Sequence, residues 1–332
     1  MQDYLADLTS AATVTEGQSL SQQALTQIFD SALSILPGFR GASDEDTHGG
    51  AGGEADSTEE SVADTATAAL LLTSSVLAAA TTIDTQTATS AAEVLDYVLG
   101  SEMAVSSAGA GDQVASSIAA IGDAVLLGAA SHANNSAVIA VTISTTNLNI
   151  TAEKRSPAEV AQTPSMCKTE TEPAIVELPP DVLSALSGGG QAANASEPIE
   201  FLFFSSAVNL HGPPPIVPRG QGAISTGVAA VSPASMASPL ISFSLRQGGK
   251  ELKVNGTASP IAITVPLRKG TNTTNRCIGQ PANASAAGCQ MAFECRYWDE
   301  ASSEWRGDGC RTMGSEGKVL CECNHLTDFV VL

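Results

Sequence analysis

The 332-residue chain is strongly acidic, with 35 Asp and Glu against 15 Lys and Arg and a net charge of −20. Binding to nucleic acid needs clustered Lys and Arg, so this balance excludes a nucleic-acid partner and argues against docking on an anionic membrane face. The length allows two domains. Aromatic residues make up 4% of the chain, so we expect a core of mostly aliphatic and small side chains.

The cysteines are clustered late in the chain. Six of the seven lie between residues 277 and 323, which indicates disulfides formed in an oxidising compartment. Six N-glycosylation sequons, all after residue 130, agree with an extracellular glycoprotein. Their asparagines are Asn134, Asn149, Asn194, Asn255, Asn272 and Asn283.

Targeting signals are not evident in the sequence. Residues 1–5 lack a basic start and an apolar run, so no signal peptide is expected. The most apolar internal stretch, 68–80, contains three hydroxyl residues and is too short to span a bilayer. No transmembrane segment is therefore expected here, and we interpret the sequence as a piece of a larger secreted or membrane protein.

The first 130 residues show helical periodicity. Between Leu20 and Leu36 the apolar residues recur at steps of three and four, which predicts an amphipathic helix ended by Pro37 and Gly38. An acidic, glycine-rich stretch at 41–57 is interpreted as a flexible loop. Three further helices are predicted over 57–82, 87–103 and 112–130. We predict a helical subdomain over 1–130, and we find no catalytic constellation in it.

From residue 131 onward the pattern changes to short apolar strands separated by Pro, Gly and Asn, which is typical of an antiparallel β-sandwich. Strands are predicted at 137–143, 148–152, 174–178, 199–204, 222–231, 240–245, 251–254 and 261–265, with a short helix at 181–186. The predicted fold class is therefore α+β: an all-helical subdomain followed by a β-sandwich over 131–332.

The final stretch, 295–332, has an unusual density of Cys, Trp and His. It reads Cys-Arg-Tyr-Trp from Cys295, then Trp305 and Gly-Cys310, then Cys-Glu-Cys-Asn-His-Leu-Thr-Asp-Phe from Cys321. This pattern resembles the GPS motif, the end of the GAIN domain of adhesion G-protein-coupled receptors and polycystin-1-like proteins. The upstream order of helices and then strands is similar to the two GAIN subdomains.

The resemblance implies self-cleavage between Leu326 and Thr327. The Thr327 hydroxyl can attack the carbonyl carbon of Leu326 through a five-membered ring, which gives an ester by an N→O acyl shift that water then hydrolyses. A hydroxyl needs a base, and His325, two residues earlier, has a suitable ordinary pKa. This is a single-turnover reaction for which we expect neither a cofactor nor a metal.

The resemblance also implies structural roles. The disulfides would be Cys295–Cys321 and Cys310–Cys323, with Trp298 packed nearby. Trp305 would pack against the same clamp, and the cut fragments would stay associated. The strand formed by Thr327, Phe329, Val330, Val331 and Leu332 would be a tethered-ligand candidate for a downstream membrane region that the sequence does not contain.

Two cysteines outside the motif, Cys277 and Cys289, are expected to pair around a short loop, and Cys167 is left either free or paired outside this sequence. A zinc site at Cys321, Cys323 and His325 with Cys295 or Cys310 is an alternative, opposed by its spacing and by the compartment signals.

A second alternative is a non-cleaving extracellular interaction or spacer module of the same fold, in which an extracellular protein ligand would be the partner. In that case His325 would be a bystander.

Overall fold

The computed structural model describes residues 2–12, 20–36, 56–101, 109–132, 138–160, 163–169, 171–182, 198–211, 236–247, 250–271, 293–315 and 317–332. Several sequence-based expectations lie outside them: the acidic loop at 41–57 except for residues 56 and 57, which are helical, the strand at 222–231, the Cys277–Cys289 bridge, and the sequons at Asn134, Asn194, Asn272 and Asn283. The chain forms two compact units. The first comprises Met1–Arg155 and Glu200–Leu210, and the second Ser156–Ile199 and His211–Leu332.

The helices of the first unit are α1 (Gln2–Ala12), α2 (Gln22–Ile35), α3 (Asp56–Ala79), α4 (Thr85–Gly100) and α5 (Ala110–His132). Two of them begin at side-chain caps. Ser21 accepts a hydrogen bond from the backbone N–H of Ala24, and Asp84 accepts one from that of Thr87. Each cap satisfies an amide that has no partner within its helix. The predicted helical beginning of the fold is confirmed.

Small and aliphatic side chains form the core of this unit. In α4 nearly every residue from Thr87 to Leu99 is buried, and α4 packs on α2, α3 and α5. Close approach is required at Gly128, where an added Cβ would lie 2.4 Å from the carbonyl oxygen of Ile83. Helix α5 therefore lies directly against the segment before α4, with no room for a side chain at Gly128.

Two helices are long and apolar enough to cross a membrane, at Val62–Ala79 and Ala110–Ser131, and 44% of each segment is buried inside the protein. The first of them includes most of the stretch 68–80 and is longer than it, so the length argument from that stretch does not hold, and the expectation of no transmembrane segment stays a prediction. Buried core helices of globular domains meet the same criterion, so length and composition alone do not decide the role of these two.

Thirteen strands are found in the described residues: β1 (Ile139–Ser144), β2 (Leu148–Arg155), β3 (Ser165–Cys167), β4 (Ala174–Glu177), β5 (Ile199–Ser206), β6 (Leu240–Gln247), β7 (Lys250–Glu251), β8 (Ile261–Pro266), β9 (Cys295–Asp299), β10 (Glu304–Arg306), β11 (Cys310–Ser315), β12 (Lys318–Cys323) and β13 (Asp328–Val331). Two short helical segments, α6 (Pro157–Val160) and residues 180–182, lie among them.

Strands β1, β2 and β5 belong to the first unit and lie side by side in that order. Strands β1 and β2 are antiparallel, with Ile139 opposite Lys154. The Asp96 carboxylate of α4 accepts hydrogen bonds from the Thr145 hydroxyl at 2.8 Å and from the Asn147 backbone N–H at 2.6 Å. This buried carboxylate therefore fastens the β1–β2 turn to the helices.

The second unit is built from two antiparallel sheets. One contains β6, β13, β9 and β10 in that order, with β7 on β6, and the other has the order β11-β12-β8-β4-β3. Burial alternates along β8 and β12, as expected for strands with one face on a core. The α+β fold class is confirmed. The domain boundary at residue 130 stays a prediction.

Two disulfides tie these sheets. Cys295–Cys321 joins β9 to β12 and so links one sheet to the other, while Cys310–Cys323 joins the neighbours β11 and β12. They close loops of 26 and 13 residues, and bridges of this kind contribute about 3 kcal/mol each. Cys167 is buried in β3, with its Sγ 3.5 Å from the carbonyl oxygen of Lys168.

Candidate functional site

Strand β13 is an inner strand, held on both sides. Phe329 lies opposite Ile241 of β6 and Tyr297 of β9. The N–H of Val331 also donates to the Ser238 hydroxyl at 2.9 Å. Phe329, Val330 and Val331 are all 0% exposed, so the end of the motif is both a hydrogen-bonded strand and part of the core.

The backbone before β13 is fastened separately. His325 forms an isolated antiparallel bridge with Asn255, and the N–H of Leu326 donates to the carbonyl oxygen of Val254 at 3.0 Å. The chain bends at Thr327 and then enters β13. The bond between Leu326 and Thr327 is therefore the junction between two separately held segments.

The Thr327 hydroxyl donates a hydrogen bond to the carbonyl oxygen of Trp298 in β9, at 3.1 Å. Thr327 is half-buried. The expected contact between Thr327 and His325 is not among the hydrogen bonds of this conformation. The predicted nucleophile is thus held in one orientation by the neighbouring strand, and it must turn before it can reach the imidazole.

The His325 imidazole lies between two aromatic rings. Its centroid is 4.1 Å from that of Tyr297, edge to face, and 5.9 Å from that of Phe329, in a nearly parallel stack. Its Nε2 atom is buried and has no hydrogen-bond partner among the described residues. Burial lowers the pKa of His325 below its ordinary value, and the carboxylates of Asp308 and Asp299 oppose this in part. The ring is therefore neutral at pH 7 and has a lone pair to accept a proton.

Those two carboxylates belong to an exposed cluster around Arg306. The guanidinium contacts Asp308 at 2.8 Å through two nitrogens and Asp299 at 3.2 Å. The Arg306 hydrogen bond keeps the pKa of Asp308 low, and the Ser302 hydroxyl does the same for the pKa of Asp299. Both carboxylates are therefore negative near neutral pH and favour a proton on His325 in the course of a reaction.

The two tryptophans of the motif pack against each other and against a histidine that the sequence did not single out. The Trp298 and Trp305 rings meet edge to face at 5.5 Å, and the His211 ring stacks on Trp298 at 4.5 Å with an interplanar angle of 12°. The Nε2 atom of His211 contacts the Asp328 carboxylate. The sequence signal was Asp328, the only charge in 327–332, which indicates that a partner is needed but does not identify His211 as that partner.

The remaining sequence-based candidates are the zinc site and the glycosylation sequons. All four motif cysteines are in disulfides and present no thiolate to a metal, and among the described residues no group of three or more His, Cys, Asp or Glu side chains could hold one. Of the two described sequons, Asn255 is exposed, whereas Asn149 is half-buried with its Nδ2 atom 3.5 Å from the Ser205 hydroxyl.

The chain is similar to known proteins over much of its length. The chain matches the family model described as GPS, GAIN subdomain B, over residues 135–332. The mouse adhesion G protein-coupled receptor G3 is 25% identical over 164 residues, which is 49% of this chain and 24% of that receptor. The chain therefore spans about a quarter of the length of this curated relative.

Among solved structures, the full extracellular region of zebrafish Gpr126/Adgrg6 aligns with 93% of this chain and 35% of its own, with 17% identity and a TM-score of 0.48. The family match covers more than half of the residues and includes the strands, the disulfides and the final motif. The chain therefore belongs to the family of GAIN domains that end in a GPS motif.

Proposed function

We propose that this domain cuts its own backbone between Leu326 and Thr327, with Thr327 as the nucleophile and His325 as the base. The observation that carries the proposal is the state of the His325 ring. Its Nε2 atom is buried and has no hydrogen-bond partner among the described residues, and burial lowers its pKa. A base that is neutral at pH 7 and lies two residues from a hydroxyl is what the reaction requires.

The atoms balance without any other reagent than water. The Thr327 Oγ1 atom attacks the carbonyl carbon of Leu326 while His325 accepts the hydroxyl proton. The resulting five-membered ring opens by breaking the bond to the Thr327 nitrogen, and His325 returns the proton to that nitrogen. Water then hydrolyses the ester, which leaves a carboxylate on Leu326 and a free amino group on Thr327.

One rearrangement must come first. The Thr327 hydroxyl donates to the Trp298 carbonyl, so it has to exchange that bond for one to His325. A neutral hydrogen bond contributes about 1 kcal/mol net, so the rotation is a small part of the barrier. Meanwhile the bridge at His325 and the bond at Leu326 hold the carbonyl side of the junction in place.

After the cut, strand 327–332 stays in the sheet. It keeps its hydrogen bonds to β6 and β9, and it keeps three side chains that are 0% exposed. Full burial of an aliphatic or aromatic side chain contributes about 1.5–3 kcal/mol. The two fragments therefore remain associated without a covalent link.

The setting proposed for this reaction is the outside of a cell. Two disulfides agree with an oxidising compartment, and the curated relative is named as an adhesion receptor. The partners would be the domain's own cut strand, a membrane region that follows it in the full protein, and an extracellular protein ligand. Removal of strand 327–332 from its sheet would expose it as a tethered ligand.

The test is denaturing electrophoresis of the chain secreted from animal cells with a C-terminal tag. Wild-type protein should give two fragments, and Thr327→Val should give one intact band, because valine keeps the shape and loses the hydroxyl. Thr327→Ser is the matched control and should still cut. His325→Ala should be intact as well. An intact wild-type band would refute the proposal.

A non-cleaving module of the same fold is the second candidate, and one observation favours it. The Thr327 hydroxyl is bonded to Trp298 rather than to His325. If that arrangement persists, the domain is a spacer or ligand-binding module, and wild type and Thr327→Val will give the same single band.

A further inference from the structure

His211 lies at the centre of a small cluster next to the proposed cut. Its side chain is 6% exposed and that of its partner Asp328 is 15% exposed. The His211 ring stacks on Trp298 at 4.5 Å and meets Trp305 edge to face at 5.8 Å. The contact with Asp328 and the ring contacts are therefore largely shielded from water, and polar contacts are stronger where water is excluded.

The partner is the residue that follows the nucleophile in the chain. Asp328 begins β13 and lies opposite Ser242 of β6. A carboxylate that is this well buried is costly without a hydrogen-bonded partner, and His211 supplies the contact through Nε2. Because Asp328 is covalently joined to Thr327, fixing its side chain also limits how the Thr327 backbone can rotate.

The ring contacts fix the position of the His211 imidazole. Trp298 is the residue whose carbonyl oxygen accepts the Thr327 hydroxyl, and its indole is packed between His211 and Trp305. The stack on Trp298 therefore keeps the imidazole where its Nε2 atom contacts the Asp328 carboxylate.

We infer that His211 is a positioning residue for self-cleavage, acting through the Asp328 carboxylate to hold the Thr327 backbone beside the Leu326 carbonyl. The inference rests on the proposed function. It makes no use of His211 as a base, because its Nε2 atom faces Asp328 rather than Thr327. A misplacement of the attacking group by about 1 Å lowers a rate by about a hundredfold, so loss of the clamp should slow the reaction without removing either reacting group.

The test measures the rate at which newly made chain is cut, by following a cell-free synthesis with oxidising microsomes over time. His211→Phe keeps the aromatic stack on Trp298 and loses the bond to Asp328, and we expect it to cut about ten- to a hundredfold more slowly. His211→Gln restores an N–H donor for Asp328 without the ring stack and should recover part of the rate. Asp328→Ala should slow cutting as His211→Phe does, and the double variant should be no slower than either single one.

Thermal unfolding of each variant in an uncleavable Thr327→Val background shows whether a slower rate comes from misplacement of Thr327 or from a less stable fold. The expected result is a slow His211→Phe and a partly rescued His211→Gln whose melting temperatures are similar. A His211→Phe rate equal to wild type, or a His211→Gln as slow as His211→Phe, would overturn the inference while self-cleavage stands.

Two further outcomes are decisive. If His211→Phe does not fold, Asp328→Ala carries the test, and a wild-type rate in that variant would overturn the inference. An uncut wild-type chain would instead remove the proposed function, and the inference with it.

Discussion

The helical part of the first unit and the β13 region of the second use different means to hold their residues. In α4, stability comes from many small and aliphatic side chains such as Ala92 and Leu95, each 0% exposed. Around β13 the chain uses two disulfides, both of its tryptophans and two of its four histidines. Stability is spread over many interchangeable contacts in the helices, whereas few contacts position particular atoms in the strands.

This difference has a consequence for mutations. An aliphatic helix core loses free energy when a side chain is shortened, but no atom in it has to be in one place for a reaction. Near Thr327, a change that costs the same free energy would also move the hydroxyl relative to the carbonyl that we propose it attacks. We therefore expect stability and self-cleavage to be separable in the helices and coupled in the strands.

The largest effect is expected from removing the bridge between the sheets. Cys295→Ala with Cys321→Ala should abolish cutting and lower the free energy of unfolding by about 2–5 kcal/mol, because β9, which packs on β13, is no longer tied to β12. Denaturing electrophoresis and thermal unfolding measure both. Cys167→Ala, a buried cysteine of β3, is the control and should still cut. Normal cutting without the Cys295–Cys321 disulfide would show that self-cleavage does not depend on a covalent link between the sheets.

Next in size is Phe329→Ala, which empties a fully buried aromatic position in the cut strand. The loss should be about 3–5 kcal/mol, so the tagged fragment should separate from the rest after cutting. Capture on the tag, followed by detection of the N-terminal fragment, measures retention. Leu332→Ala, at the more accessible end of the strand, should be milder. Full retention by Phe329→Ala would mean that sheet hydrogen bonds alone hold the fragment.

The helical counterpart is Leu95→Ala in α4. It should cost about 2–5 kcal/mol by leaving a cavity, and a lower melting temperature would show this. At a temperature where the protein is still folded, the cutting rate should equal that of wild type. A slower rate in the folded variant would break the contrast between the two regions.

The smallest expected effect is that of pH on the rate. Because His325 must be neutral to accept a proton, cutting should fall about tenfold per pH unit below its pKa and level off above it. Burial lowers that pKa, so the falling limb should lie below about pH 6.5, the ordinary value for histidine. The cutting rate of newly folded chain, measured between pH 4.5 and 8, tests this. Thr327→Ser is the control, and its cutting rate should fall over the same pH range. A limb above pH 7 would contradict a buried neutral base.

Local patterns predicted much of the fold. The recurrence of apolar residues at steps of three and four predicted α2. The strand predicted at 261–265 is found as β8 (Ile261–Pro266). The helix expected at 87–103 instead runs over Thr85–Gly100, because Asp84 caps it earlier. Hydrophobic periodicity reports which face is buried, but a cap is set by one side chain outside the periodic run.

The site was only partly predictable, for reasons of distance. His325, Leu326 and Thr327 are adjacent in sequence, so the reaction proposed for them could be suggested from the sequence alone. His211 is 117 residues away from Asp328, and nothing local marks it as different from a loop histidine. The orientation of the Thr327 hydroxyl toward Trp298 was also hidden, because it depends on the register between β9 and β13.

The mass of the purified, denatured and unreduced wild-type protein tests the central claim most directly. Self-cleavage predicts two species whose masses add up to that of the whole chain plus one water, with the smaller one beginning at Thr327. A single species at the mass of the uncut chain, from protein that melts cooperatively and has both disulfides formed, would contradict it.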